Sequence, residues 1–441
     1  MEPLGDELSD GVITRAVPIP APDPRAVLGA AARPRTVWSA PDEPTVVAGG
    51  AAARLTATGA DRFSAIRDGA DALFDHGDVH AGTEAARPRL FGGFAFHDDH
   101  AGAPPWEGFP GAGFVLPRTQ VTYTDDGAWL TVNAIGPDAT PAAVEERIET
   151  ASEELAALPD AGPVLGPPGV VARERTTPKE TWRESVEAVV SRIHAGELRK
   201  VVLAQALRTE LARTLSVPDI LTRLGETYTD CYRFLVEPHE GPSFFGATPE
   251  RLVALRGRTV RTEALAGTTG RGETPAEDEW LAEELLEDAK NAHEHDLVAE
   301  TIREQLAPYA ASISTGERRV RRLETVQHLE TPITAELADD EHVLSLVEAL
   351  HPTPAVGGLP PERALAAIRE TEPFERGWYA SPVGWFDAAG YGSFAVALRS
   401  AVATEDTATL FAGVGVVGDS DPDAEWDEVQ LKYRPILDEL E

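Results

Sequence analysis

The sequence predicts a mixed fold of helices and antiparallel strands, and three stretches carry that expectation. Residues 111–136, GAGFVLPRTQVTYTDDGAWLTVNAIG, read as a strand, an Asp125-Asp126-Gly127 turn and another strand. From residue 381 the chain reads as a meander: SPVGWFD, a turn at AAGYG, SFAVALRSAVAT, a turn at EDTA, then TLFAGVGVVG. The third stretch argues by exclusion. GVGVVG at 413–418 matches the glycine pattern of dinucleotide sites. A helix running to Glu441 follows it, with no further strand bearing an acid about 20 residues on, so a parallel βαβ unit is not expected. Glycines there would instead let backbone approach a ligand.

Taken in order, WSAPDEPTVVAGGAAARLTATG (38–59) reads as a hairpin turning at Gly49-Gly50. RFSAIRDGADALF is a short amphipathic helix, RLFGGFAFHD an apolar strand and EERIETASEELAAL a helix. Residues 158–169, LPDAGPVLGPPG, are rich in Pro and Gly and mark a boundary between an N-terminal part, 1–165, and a second part, 170–441. Thr177-Pro178-Lys179-Glu180 is expected to cap a helix that carries Trp182, Val186, Val189, Val190 and Ile193 on one face and stops at Gly196. RKVVLAQALRTEL (199–211) is too continuously apolar for a surface strand, and CYRFLVEP and PSFFGATPERLVAL are strands. Residues 275–306 read as one long helix with Trp280, Leu281, Leu285, Leu286, Leu297, Val298, Ile302 and Leu306 inward. HPTPAVGG (351–358) is a turn by composition.

Bulk properties narrow the function. The formal charge of -35 argues against a nucleic-acid partner, which would need a basic face. No apolar run reaches the ~18 residues of a membrane span. The acidic start, MEPLGDELSDG, lacks a signal peptide's hydrophobic stretch. The single cysteine, Cys231, excludes an internal disulfide and a Cys-based zinc site. A cytoplasmic home is expected. The acids are scattered, and only Lys179, Lys200, Lys290 and Lys432 are lysines. This composition suits a halophilic protein, whose self-repulsion salt would screen; an ordinary acidic protein is the alternative.

Several polar groups stand out against that background. Thr248–Thr269 holds Glu250 before a strand-turn-strand unit that ends in ALAGT, where backbone N–H groups near Gly267 could meet an anion. Lys200 sits at the start of a buried strand, either as a snorkelling edge lysine or as a functional amine. The cluster His293-Glu294-His295-Asp296 cannot chelate zinc from adjacent helix positions. It is either a solvated acidic face or the source of one Mg²⁺ carboxylate, Glu294. Along SFAVALRS, Arg399 shares a face with Ala395 and Ala397, leaving room for an anion beside it. Glu428 and Lys432 are spaced i, i+4 on the last helix, as an ordinary ion pair or as part of a groove, with Glu425 one turn earlier.

KVVLA, FGATPERL, RTEALAGT, KNAHEHDLV, HPTPAVGG, FAVALRS, AGVGVVGDSDPDAEWDEVQLK and the earlier FGGFAF together resemble the chorismate-utilising enzymes. The resemblance spans nearly the whole chain and is densest from about residue 175 to 435. It implies an α+β fold: two large antiparallel β-sheets stacked as a sandwich with helices outside and the active site in a cleft. Within the family the chain looks most like the isochorismate synthases of the menaquinone pathway. The resemblance makes Lys200 the general base that activates water and Glu250 the general acid. It makes Glu294 and Glu428 ligands of a Mg²⁺ cofactor. Arg399 and Lys432 would bind chorismate's carboxylates, with Gly267, Thr268 and Gly413 in support, and His351 and Ala355 would line the ring site.

Relatives that use ammonia are disfavoured by the same residues. Anthranilate synthases resemble this chain but typically lack a lysine at the position of Lys200. Aminodeoxychorismate synthases carry a nucleophilic lysine in PIKGT, where this chain has ALAGT with Ala266. No glutaminase partner is therefore expected. Salicylate synthases share the lysine and remain the alternative. The chain departs from the family pattern in TPE for SPE, and in Gln205-Ala206 where an arginine often follows KVVLA.

Overall fold

The computed structural model describes residues 11–137 and 139–441, with Lys290 described by its backbone alone. Most of the N-terminal stretch weighed against a signal peptide lies outside the described residues. Two sheets dominate, one of 13 strands and one of 10. Their pairings are antiparallel except for Ile13–Ile19 with Asp78–His80. The larger sheet runs from Val170–Arg175 through Lys200–Leu211, Thr407–Val416, Ser400–Ala403 and Ser243–Thr248 to the N-terminal strands. The smaller one includes Val326–Leu337, Thr259–Gly270, Arg251–Arg256, Gly392–Val396 and Pro382–Asp387. Both sheets mix strands from before and after residues 158–169.

The sheets stack as the expected α+β sandwich around one continuous apolar core. A single carboxylate spans the interface. Glu43 Oε2 accepts from Trp38 Nε1 of the larger sheet at 3.1 Å and from Trp385 Nε1 of the smaller at 2.9 Å. Among the described residues no helix is long and apolar enough to cross a membrane.

Three chain passages from sheet to sheet explain where local pattern misled. The Gly49-Gly50 turn is not a hairpin. Thr45–Gly49 pairs back onto Arg35–Ser39, with the turn at residues 40–44. Gly50, at φ +66°, then sends the chain to the smaller sheet, where Ala53–Ala57 pairs with Ala112–Leu116. Period-2 patterning reports which face is buried and not which sheet a strand joins. Likewise GAGFVL joins the smaller sheet, and only Thr119–Thr124 and Gly127–Ala134 form the Asp-Asp-Gly hairpin. SFAVALRSAVAT is two strands, Gly392–Val396 and Ser400–Ala403, in different sheets. The alternation that placed Arg399 beside Ala395 and Ala397 therefore breaks, and Arg399 adopts φ +47°.

Two helix expectations also change. Residues 275–306 form two helices, Pro275–Glu287 and Ala289–Leu306. Asp288 ends one and caps the other, accepting from Asn291 N at 2.7 Å. The turn at Asp288 rotates the first helix, so Trp280 lies 57% exposed and not inward, and Leu286 is exposed as well. In the helix Lys179–His194 the N-cap is Pro178, without a side-chain cap, and Thr177 Oγ1 is buried without a partner.

Candidate active site

Both proton-transfer candidates are set in place by strand geometry. Lys200 is the first residue of its strand, with only 1% of its surface exposed, so it does not snorkel. Its Nζ lies 2.7 Å from Glu294 Oε1 on the helix Ala289–Leu306. Gly415 on the neighbouring strand makes room for the pair. A Cβ there would stand 2.8 Å from Lys200 Cε and 2.9 Å from Glu294 Oε1. Glycine in GVGVVG thus leaves space for two side chains.

Glu250 sits in a sheet-to-sheet passage between Ser243–Thr248 and Arg251–Arg256. Arg399 sits in a second passage, and the two run side by side. Val396 N donates to Glu250 O at 3.0 Å, Thr248 Oγ1 to Val396 O at 2.6 Å and Ala247 N to Arg399 O at 3.1 Å. Burial pushes the Glu250 carboxyl up to about 8, and the nearby Glu263 adds to this; Lys200, Lys432 and Arg321 pull the other way.

The Arg399 guanidinium is buried, and burial lowers its pKa. Among the described residues no carboxylate pairs with it. Its Nη2 lies 3.4 Å from His328 Nε2. Because Arg399 can only donate, His328 Nε2 accepts, and Nδ1 carries the proton toward Thr268 Oγ1 at 3.0 Å. Burial first, then Arg399, holds the imidazole neutral, well below its usual range. Gly267, at φ +76°, forms the bulge that turns this strand end into the cavity.

Lys200, Glu250, Gly267, Thr268, Glu294, Ala355, Arg399, Gly413, Glu428 and Lys432 all line one cavity. Lys432 Nζ lies 2.7 Å from Glu428 Oε1 and donates to Gly413 O at 3.0 Å. His351 is the exception and does not line the cavity. As the C-cap of Val343–Leu350 it turns away, its Nε2 3.3 Å from Phe96 O and its ring edge-on to Phe96. Local pattern missed His328, Tyr379 and Arg376, which also line the cavity, as does Glu425, already placed one turn before Glu428.

Among the described residues no three His, Cys, Asp or Glu side chains cluster tightly enough to enclose a metal alone. The donor chemistry nevertheless fits a hard cation that keeps several waters, because Glu294, Glu425 and Glu428 all line the cavity. An incoming ion would compete with Lys200 and Lys432 for those oxygens.

A family model described as "Chorismate binding enzyme" matches residues 5–441. The chain belongs to the chorismate-binding enzymes. Isochorismate synthase MenF of Bacillus subtilis is 38% identical over 360 residues, 81% of this chain and 75% of that protein. The salicylate biosynthesis isochorismate synthase of Pseudomonas aeruginosa is 36% identical over 431 residues, 95% of this chain and 88% of the relative. The solved structure of MenF, the menaquinone-specific isochorismate synthase from Escherichia coli, superposes with a TM-score of 0.82 at 28% identity. That match covers 98% of this chain and 95% of the other.

Proposed function

We propose that this enzyme is an isochorismate synthase that uses Mg²⁺ to convert chorismate to isochorismate. One observation carries the reading: an amine, Lys200, and a carboxyl held protonated, Glu250, line a cavity with a buried arginine that has no carboxylate partner among the described residues. The relatives' names point the same way.

In the proposed reaction Lys200 takes a proton from water. The water oxygen bonds to ring C2, the ring double bonds shift, and the C4–O bond breaks. The Glu250 proton goes to the departing hydroxyl, which leaves as water. One water enters and one leaves, so the step needs no oxidant or reductant. Its pKa of about 8 keeps Glu250 in the donor form at neutral pH. Arg399 and Lys432 supply cations for the substrate carboxylates. Glu294 and Glu428 would hold Mg²⁺, which neutralises the ring carboxylate when bound. Water is the nucleophile, so no ammonia-supplying partner is required. The menaquinone-specific relative makes quinone synthesis the proposed setting, and a cytoplasmic location is proposed with it.

Incubation with chorismate, Mg²⁺ and high salt, followed by chromatography, tests the reading, and isochorismate is the expected product. Salicylate with pyruvate would move the enzyme to the salicylate synthases, and an ammonia-dependent amino product to the aminating branch. No conversion removes the proposal, and a Lys200→Ala variant with full turnover removes its mechanism.

A further inference from the structure

The strand that carries Lys200 has a gap along one edge. At its start Gly358–Leu359 pairs with Lys200 and Val201, and further on Val170–Arg175 pairs with Leu207–Leu211. Between these two short partners the backbone has no strand beside it, although residues 201–207 are buried. Buried N–H and C=O groups must find partners. Thr176 takes up Ala206, accepting from its N at 3.2 Å and donating to its O at 3.0 Å. Val202 N donates to Gly357 O at 2.9 Å, and two charged side chains take up the neighbouring groups. Ala204 N donates to Glu372 Oε1 at 2.8 Å, and Val202 O accepts from Arg376 Nη2 at 2.8 Å.

Glu372 and Arg376 also bind each other, with Arg376 Nε 2.8 Å from Glu372 Oε2, and both side chains are at most 3% exposed. Arg376 Nη1 then donates to Val356 O at 2.9 Å, in the turn that brings Ala355 and Val356 to the cavity. One guanidinium therefore adds a second tie, beside the Val202 N–Gly357 O bond, between the strand bearing Lys200 and the turn that carries Ala355 and Val356. The carboxylate fixes that guanidinium and the next residue pair of the strand.

We infer that the buried Glu372–Arg376 pair is a positioning device that sets the spacing between Lys200 and the Ala355–Val356 wall of the cavity. Glu372 does not line the cavity, so its effect on turnover acts through the backbone it holds. A planar, bidentate guanidinium can join three partners at fixed angles, which an ammonium cannot. The inference rests on the isochorismate synthase reading for its turnover measurement alone.

Glu372→Gln is the test, with Glu372→Asp as a second variant and the exposed Glu370→Gln on the same segment as control. Below the unfolding transition, Glu372→Gln should lower kcat about 10- to 100-fold, the scale of a small misplacement of reacting groups. KM should stay within about twofold. In the substrate-free protein, amide exchange should speed up in segments 200–206 and 351–358 and stay unchanged at residues 45–49. The exchange measurement needs no turnover, so it decides the positioning role even if chorismate is not the substrate. Unchanged exchange with kcat within about twofold of the parent overturns the inference. So does a raised KM at constant kcat, which would make Arg376 a direct partner of the substrate. Activity lost only in step with folded protein would also overturn it.

Discussion

Gly415→Ala separates the cost to the fold from the cost to the chemistry. Gly415 is in a strand and does not need a left-handed backbone, so alanine is allowed by its dihedral angles. Space is the difficulty. The added Cβ would lie 2.8 Å from Lys200 Cε, against the 3.4 Å at which ordinary contact begins, so the lysine end must retreat by about 0.6 Å. Glu294 Oε1, at 2.9 Å, must move as well. Both obstacles are tips of long side chains, so the fold yields cheaply, by about 1 kcal/mol. The proposed base does not: a shift of this size at a reacting group should lower kcat by about 10- to 100-fold, or about 1.4–2.7 kcal/mol of barrier. Gly92→Ala is the contrast, since its Cβ would strike the Gly113 carbonyl, a backbone obstacle that cannot step aside. The assay is steady-state turnover of chorismate with thermal unfolding of both variants. Gly415→Ala should be nearly as stable as the parent and slow, and Gly92→Ala should be unstable. A Gly415→Ala enzyme with parental kcat would show that Lys200 need not stand where it does, and the proposed base would be lost.

Three further outcomes follow from the same geometry. The Glu250 pKa of about 8 lies above its ordinary value, so activity should fall as pH rises through about 8, where the proton donor is lost. By linkage, protonation stabilises the fold at low pH, and this is lost as pH climbs from about 4.5 toward 8; Glu250→Gln should therefore be inactive yet melt higher than the parent at pH 9. Arg399→Lys should raise KM for chorismate about 10-fold with the melting temperature little changed, because a point charge replaces a two-pronged donor; an unchanged KM would take Arg399 out of substrate binding. With a net charge of -35, the protein should melt several degrees higher in 2 M KCl than in 0.1 M, and a flat response would leave an ordinary acidic protein.

Much of the site could be read from the sequence because its groups are chemically conspicuous. Lysine is scarce here, so Lys200 and Lys432 drew attention before any fold was known. Glu250, Gly267 and Arg399 came with motifs whose order along the chain implied a shared cleft. Long-range matters were hidden. Nothing local in SFAVALRSAVAT announces that the strand stops at Val396 and resumes in another sheet, because both halves are equally apolar. His351 sits in a conspicuous turn, yet its direction depends on a helix end and on Phe96, more than 250 positions away. Tyr379 and Arg376 lie in an irregular segment without periodicity, so no pattern could aim them at the cavity.

The passages that carry Glu250 and Arg399 from one layer to the other act as stitches through both. Thr248, Val396 and Ala247 lace these two stitches to each other, so neither layer can shear against its neighbour without dragging the proposed acid and anion clamp along. Alignment of the reactive groups is thereby a property of the whole double-layered body, and loosening the layers anywhere should be felt as slower chemistry before it is felt as unfolding.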